Sequence, residues 1–166
     1  MTAPATPGET VQVRILGAPV RVWVSSSERH QDLVREFTLM QFGHEGGQSV
    51  PSRLLDLSEQ LTGKYSGLTE ANNARRDAAL AAGEDQIDLE YHVPVEVREP
   101  CITLLDLLDE ADEYCRADQL LTLATPPTQV AFRRWYLGEF IAQIDGLPPQ
   151  PWTGPMDSPD ESTPSV

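Results

Sequence analysis

The chain has 166 residues, of which 26 are acidic and 12 are lysine or arginine, and its formal net charge is −14. A nucleic-acid backbone and an anionic membrane surface would both repel such a chain, so we expect neither as a partner. A partner protein with a basic surface, or a role of the charge in solubility alone, stays open. The sequence shows no signal-peptide pattern and no apolar run of the roughly 20 residues that a spanning helix needs, so we expect a cytoplasmic protein.

Both ends of the chain differ from its middle. Residues 1–9 have no apolar pattern, and residues 147–166 contain six prolines among polar and acidic residues. Segments of this composition bury too little apolar surface to offset the entropy of ordering them. We therefore predict a disordered N-terminus over residues 1–9, a single domain over residues 10–146, and a disordered proline-rich tail over residues 147–166.

The first apolar pattern predicts a β-hairpin. Apolar residues alternate with others along residues 11–16 and again along residues 20–24, and Gly17-Ala18-Pro19 separates the two runs. Alternation on both sides of a short Gly/Pro turn is typical of two paired strands.

Three helices are predicted next. Ser25 and Glu28 have the spacing of a capping box, which favours a helix from there to about Gly43. Pro51 suits the first turn of a second helix, which is expected to weaken at Gly63. A third, less amphipathic helix is predicted over residues 69–83.

The C-terminal half is predicted to hold a strand and two helices. Residues 86–93 alternate without error, which indicates a strand with one wet face. An apolar stripe from Cys101 to Cys115 predicts the fourth helix, and Thr125 is expected to cap a fifth that closes at Gly146. On one helix the two cysteines would be about 21 Å apart, too far for a disulfide. The predicted fold class is α+β, a small antiparallel sheet (the hairpin plus the third strand at 86–93) packed by about five helices.

Acidic and basic residues crowd the last two predicted helices. The candidate partner-binding residues are Asp106, Asp109, Glu110, Asp112, Glu113, Arg133 and Arg134. Like charges four positions apart destabilise an isolated helix by roughly 0.2–0.5 kcal/mol per pair, so nearby bases are expected to match them. Internal pairing with Arg116, Arg133 and Arg134 is the favoured interpretation, and a docking face for a basic partner is the alternative.

No catalytic motif is present. His44-Glu45 does not extend to His-Glu-x-x-His, and there is no Gly-x-Ser-x-Gly, phosphate-binding glycine loop or Cys-x-x-Cys. We therefore predict no catalytic residue, no metal site and no cofactor. A ligand-sensing domain that binds a small molecule or nucleotide without catalysis is the alternative function, with Trp23, Tyr91 and Trp135 as candidate pocket residues.

Several segments resemble a family of small actinobacterial proteins that accompany ATP-binding anti-sigma serine kinases and their STAS-domain antagonists. The segments are residues 76–80, 83–84, 87–89, 107–115, 121–124 and 132–136. The resemblance covers most of residues 11–152 and implies a regulatory role in partner switching or stress signalling, with no catalytic residues. The kinases themselves need Glu-x-x-x-Asn and Asp-x-Gly-x-Gly motifs. Here Glu70 and Asn73 have the wrong spacing and the second motif is absent. The sequence thus predicts a non-enzymatic protein-interaction domain of undetermined oligomeric state.

Overall fold

The computed structural model describes residues 6, 8–41, 50–118 and 125–157. Two strands and four α-helices make up this part of the chain, which confirms the α+β class. In chain order they are β1 (Thr10–Pro19), α1 (Val20–Gln41), α2 (Val50–Ala82), β2 (Gln86–Pro94), a 3-10 turn (Val95–Val97), α3 (Arg98–Asp118) and α4 (Pro127–Ile144).

The two strands form an antiparallel sheet with one buried face. Val13 lies opposite Tyr91 and Ile15 opposite Leu89, and these side chains are buried. The register shifts between Ile15 and Ala18, where Gly17 adopts a positive φ of 66°. A β-bulge of this kind needs a left-handed backbone that glycine adopts without strain. The strand predicted over residues 86–93 is confirmed.

The predicted hairpin is wrong, and so is the predicted sheet of three strands. Residues 20–24 form the first turns of α1, and the described part of the chain contains only the pair β1 and β2. Val20, Val22 and Trp23 are all buried, because the start of α1 is enclosed by the main core on several sides. A helical turn that is enclosed on several sides buries most of its residues, so apolar residues can occur there at every second position, as they do in a strand. Ser25, expected to cap this helix, lies inside it.

The four helices run alternately away from the sheet and back toward it. The outer halves of α1, α2 and α3 share a second apolar cluster, whose members are Leu33, Phe37, Leu54, Leu107 and Ala111. α2 is continuous over residues 50–82, so the second and third predicted helices form one helix and the weakening expected at Gly63 does not end it. A glycine inside a helix costs roughly 1 kcal/mol, which the packing of a long helix on its neighbours can offset.

Side chains cover both edges of the sheet. The Gln143 amide accepts from the Arg14 backbone N–H at 2.8 Å and donates to its carbonyl at 2.8 Å, as a neighbouring strand would. On the other edge, Asn72 and Arg75 donate to two carbonyls of β2. Polar groups at a strand edge otherwise invite pairing with another chain. The sheet is thus closed at these positions by residues of α2 and α4.

The segment after α4 packs on the domain. Residues 147–157 belong to the predicted disordered tail, yet the Trp152 side chain is buried and its backbone N–H donates to the Leu16 carbonyl at 3.0 Å. Near the other end, the Gly8 N–H donates to Glu96 at 2.6 Å. Within the described ranges, every helix lacks the combination of length and hydrophobicity required of a membrane-spanning segment.

Candidate functional site

The candidate site lies where the outer half of α3 meets the first turns of α4. The Nη2 atom of Arg133 lies 2.6 Å from Oδ1 of Asp109 and 2.6 Å from Oδ2 of Asp112. Asp109 and Asp112 are three positions apart, so both project from one side of α3. One guanidinium on α4 therefore holds two carboxylates on α3.

Asp112 also anchors the chain just before α4. Its Oδ1 atom accepts from the Thr125 N–H at 3.0 Å and from the Thr125 hydroxyl at 2.7 Å. The Arg133 Nη1 group contacts the same hydroxyl oxygen at 3.3 Å. Thr125 was expected to cap the last helix, and that prediction is wrong, because α4 begins after Pro126 without a side-chain cap. Thr125 instead completes the set of donors around Asp112.

This ion pair is largely removed from water. The side chain of Arg133 is 10% exposed and that of Asp112 is 8% exposed, whereas that of Asp109 is 45% exposed. Burial by itself would raise the pKa of Asp109, but the hydrogen bonds and charges of Arg133 and Arg134 outweigh it, and the pKa lies below its ordinary 3.8. The Nε atom of Arg133 is buried and makes no hydrogen bond. A buried pair of this kind is sensitive to the loss of either partner.

The remaining charges of the site lie outside this buried pair. Arg134 reaches the second oxygen of Asp109 at 3.3 Å, Arg116 pairs with Glu113, and Arg53 on α2 pairs with Glu110 at 3.2 Å. Asp106 is exposed and forms no ion pair with the described residues. The acids and bases of this region line an open depression of about 300 Å³ between α3 and α4.

The seven candidate partner-binding residues thus fall into two groups. The inward group (Asp109, Asp112 and Arg133) forms internal ion pairs, which confirms the pairing predicted between the acidic helix and the arginines. The outward group (Asp106, Glu110 and Glu113) faces solvent. Arg134 lies between them, since it is exposed but paired with Asp109.

The three candidate pocket residues lie elsewhere, in an aromatic cluster between the sheet and α4. Trp23 is 5% exposed and Tyr91 is 2% exposed. Trp23 lies 5.7 Å from the Tyr136 ring, and the Tyr91 and Tyr136 hydroxyls are 2.6 Å apart. Trp135 is half-buried beside Phe132. These side chains belong to the packed core and its margin, and that they line a pocket stays a prediction.

Two tyrosine hydroxyls and one thiol of the core stay protonated at neutral pH. Burial raises the pKa of Tyr91 to about 12 despite its hydrogen bond with Tyr136, and burial also raises the pKa of Tyr136. Burial raises the pKa of the Cys101 thiol to about 11. Cys101 is free and buried, as predicted, while the side chain of Cys115 lies outside the described part of the chain. A buried thiol with so high a pKa is a poor nucleophile.

Two buried polar residues on α4, Glu139 and Gln143, connect this helix to β1 and to the segment after α4. The sequence patterns did not indicate either of them. The Glu139 carboxylate, which is 6% exposed, accepts from the Gln143 amide at 2.8 Å and from the Gln150 N–H at 3.0 Å. Glutamate and glutamine four positions apart in the otherwise apolar second half of α4 were a usable signal, because such a pair lies on one helix side.

No protein family, no curated protein and no solved structure matches this chain. Among the described residues, no three histidine, cysteine, aspartate or glutamate side chains are grouped so that they could hold a metal ion. Any function for the site therefore has to be argued from its own charges and geometry.

Proposed function

We propose that this chain is a non-enzymatic protein-interaction domain that acts in a regulatory circuit of the partner-switching kind. Its docking surface is the outer face of α3 and α2, defined by Asp56, Asp106, Glu110 and Glu113. The observation that supports this proposal is the division of the acids on α3. Arg133 on α4 pairs with the inward acids, whereas the outward acids face solvent, where Glu110 and Glu113 have only exposed partners, Arg53 and Arg116.

Charges from α2 extend this outer face. The contact between Arg53 and Glu110 aligns one stripe of α2 with one stripe of α3. Because the two helices run in opposite directions, Asp56 lies beside the stripe position of Asp106. Both are exposed and form no ion pair with the described residues. Four acids therefore face outward against two bases, Arg53 and Arg116, which favours a basic partner surface.

The inward ion pairs make this face suitable for docking. Arg133 joins α3 to α4, and the second apolar cluster joins α3 to α1 and α2. The outward carboxylates therefore sit on a backbone that does not need to reorganise when a partner binds, which lowers the cost of association. Exposed charge pairs contribute about 0.2–1 kcal/mol each and mainly raise the association rate, so binding is expected to weaken with salt.

The direct test is affinity capture from a native lysate with charge-reversed variants of the full chain. Asp56→Lys/Asp106→Lys reverses two outward charges and breaks no described ion pair. Glu28→Lys/Glu84→Lys makes the same change in net charge at exposed acids on α1 and after α2. We expect the first double variant to lose a protein that wild type and the second variant both capture. Equal capture by all three, or equal loss in both variants, would contradict the docking face.

The regulatory setting has its own test. Proteins captured by wild type but lost with Asp56→Lys/Asp106→Lys are identified by mass spectrometry. The proposal requires an ATP-binding serine kinase or a STAS-domain protein among them. A specific partner of another class would refute the partner-switching role but would still support the acidic docking face.

A further inference from the structure

The segment after α4 occupies a groove as a bound peptide would. Residues 147–157 contain no helix or strand and lie against α4 and the outer edge of β1. The Trp152 ring packs edge-on against Trp135 at 5.4 Å and against Phe132 at 6.0 Å. We call residues 147–157 the strap.

Backbone hydrogen bonds fix the direction of the strap in the groove. The Trp152 N–H donates to the Leu16 carbonyl at 3.0 Å, and the Gln150 N–H donates to Glu139 at 3.0 Å. The Trp135 indole N–H donates to the Gln150 carbonyl at 2.9 Å. Grooves lined by aromatic side chains are typical binding sites for extended, proline-rich peptides. Prolines at 148, 149, 151 and 155 give the strap that composition.

Few of the strap's side chains are buried in the groove. Of the strap's side chains only Trp152 is buried, and Pro148, Gln150 and Pro151 are exposed. Beyond Trp152, the strap is held by the half-buried Met156, which packs against the main core, by backbone contacts, and by an exposed ion pair between Asp157 and Arg21 at 2.5 Å. A segment that keeps the tryptophan and the preceding proline, and adds contacts at the exposed positions, would bind more tightly than the strap does.

We propose that this groove is a recognition site for an extended segment of a partner protein in which a tryptophan follows a proline, and that the strap occupies it in cis. The groove is formed by the Leu16 edge of β1 and by Phe132, Trp135 and Glu139 on α4. The strap of a second copy would make only the contacts that the chain's own strap already makes. It could not overcome the advantage that covalent attachment gives to the chain's own strap. A different protein with a better-fitting segment is therefore the occupant.

The resident strap sets the affinity that a partner has to exceed. A short tether gives an effective concentration of about 1 mM. If the strap's own sequence binds the open groove with a Kd of about 0.1 mM, the groove is closed about ten to one, and any competing segment binds roughly tenfold more weakly. Opening the groove should therefore reveal binding that the wild-type chain conceals.

Gly154 offers a way to displace the Trp152 ring without changing a residue of the groove. A Cβ atom at this position would lie 2.3 Å from the Trp152 ring, so Gly154→Val cannot keep the ring in its place. Trp152→Ala removes the ring without a clash and provides a second opened variant. Both are full-length chains, and circular dichroism with thermal melting shows whether they fold.

The probe is a fluorescein-labelled peptide with the sequence of residues 147–157, followed by fluorescence anisotropy. We expect it to bind Gly154→Val at least about tenfold more tightly than wild type. The same peptide with alanine in place of its tryptophan should not bind. Gly154→Val/Trp135→Phe should bind the probe more weakly than Gly154→Val, because phenylalanine keeps the packing but lacks the indole donor.

Three results would overturn the proposal. The first is equal binding of the probe to wild type and both opened variants, or binding to none of them. The second is loss of folded structure in both opened variants, because the strap would then be an obligatory part of the core. The third is a wild-type dimer in sedimentation analysis that Trp152→Ala abolishes, since a second copy would then be the occupant. The acidic face of α3 lies on other residues, so none of these results bears on it.

Discussion

Replacing Arg133 with methionine tests the ionic site most directly. Methionine keeps much of the aliphatic volume but removes the charge, and it leaves the Asp112 carboxylate 8% exposed without a cation at 2.6 Å. Breaking a buried pair by removing one partner costs about 3–5 kcal/mol. The two hydrogen bonds from Thr125 to Asp112 persist, so we expect the lower end, about 3 kcal/mol.

The matched control is Arg134→Met, one residue further along α4. Arg134 is 62% exposed and contacts the exposed Asp109 at 3.3 Å, so its removal should cost no more than about 1 kcal/mol. Urea denaturation at pH 7, followed by circular dichroism, gives both free energies of unfolding. For a chain of this size 3 kcal/mol corresponds to a fall in Tm of about 6–12 °C.

A double variant identifies the cause of the loss. Asp112→Asn removes the buried charge but keeps an oxygen that can accept from Thr125. Arg133→Met/Asp112→Asn should therefore recover at least about 1 kcal/mol relative to Arg133→Met alone. If Arg133→Met costs as little as Arg134→Met, or if the second substitution only adds to the loss, the uncompensated carboxylate is not the source of the instability and the reasoning fails.

Three further predictions concern the strap, the pH dependence and the core thiol. Gly154→Ala should destabilise the fold by about 1–3 kcal/mol, because the added Cβ would lie 2.3 Å from the Trp152 ring. The control Gly138→Ala has open space around the added Cβ and should stabilise the fold by up to about 1 kcal/mol. A similar effect of both substitutions in thermal melts would contradict this prediction. The pKa of Asp109 is lower in the folded chain than its ordinary value of 3.8. The ionised carboxylate therefore stabilises the fold above pH 3.8, and this stabilisation is lost as the pH falls through the pKa of the folded state. The loss of stability caused by Asp109→Asn should shrink between about pH 6 and pH 3, and a constant loss would refute the prediction. The pKa of the Cys101 thiol is raised to about 11, so its reaction with iodoacetamide at pH 7.5 should be at least about tenfold slower in the folded chain than in urea. Equal alkylation of the Cys101 peptide under both conditions, measured by mass spectrometry, would show that the thiol is accessible.

Much of the architecture could be predicted from local patterns. The alternation of residues 86–93 identified β2 because its two faces meet different environments, water on one side and core on the other. The charges on α3 and α4 identified the ionic site, since a helix crowded with like charges needs bases nearby, and Arg133 and Arg134 were among the three candidates, together with Arg116. The alternation of β2 and the crowding of acids on α3 are each patterns within one element, so residue spacing alone carries that information.

Tertiary structure decided the features that depend on distant partners. Residues of β1 pair with residues 67 to 84 positions away, so residues 20–24 were free to start α1, and the enclosure of the first turns of α1 removed the amphipathic pattern there. The strap is ordered because one tryptophan finds Phe132 and Trp135, a contact that a proline-rich composition does not reveal. Propensity and periodicity describe a segment in isolation, whereas burial is set by whatever the rest of the fold places against it.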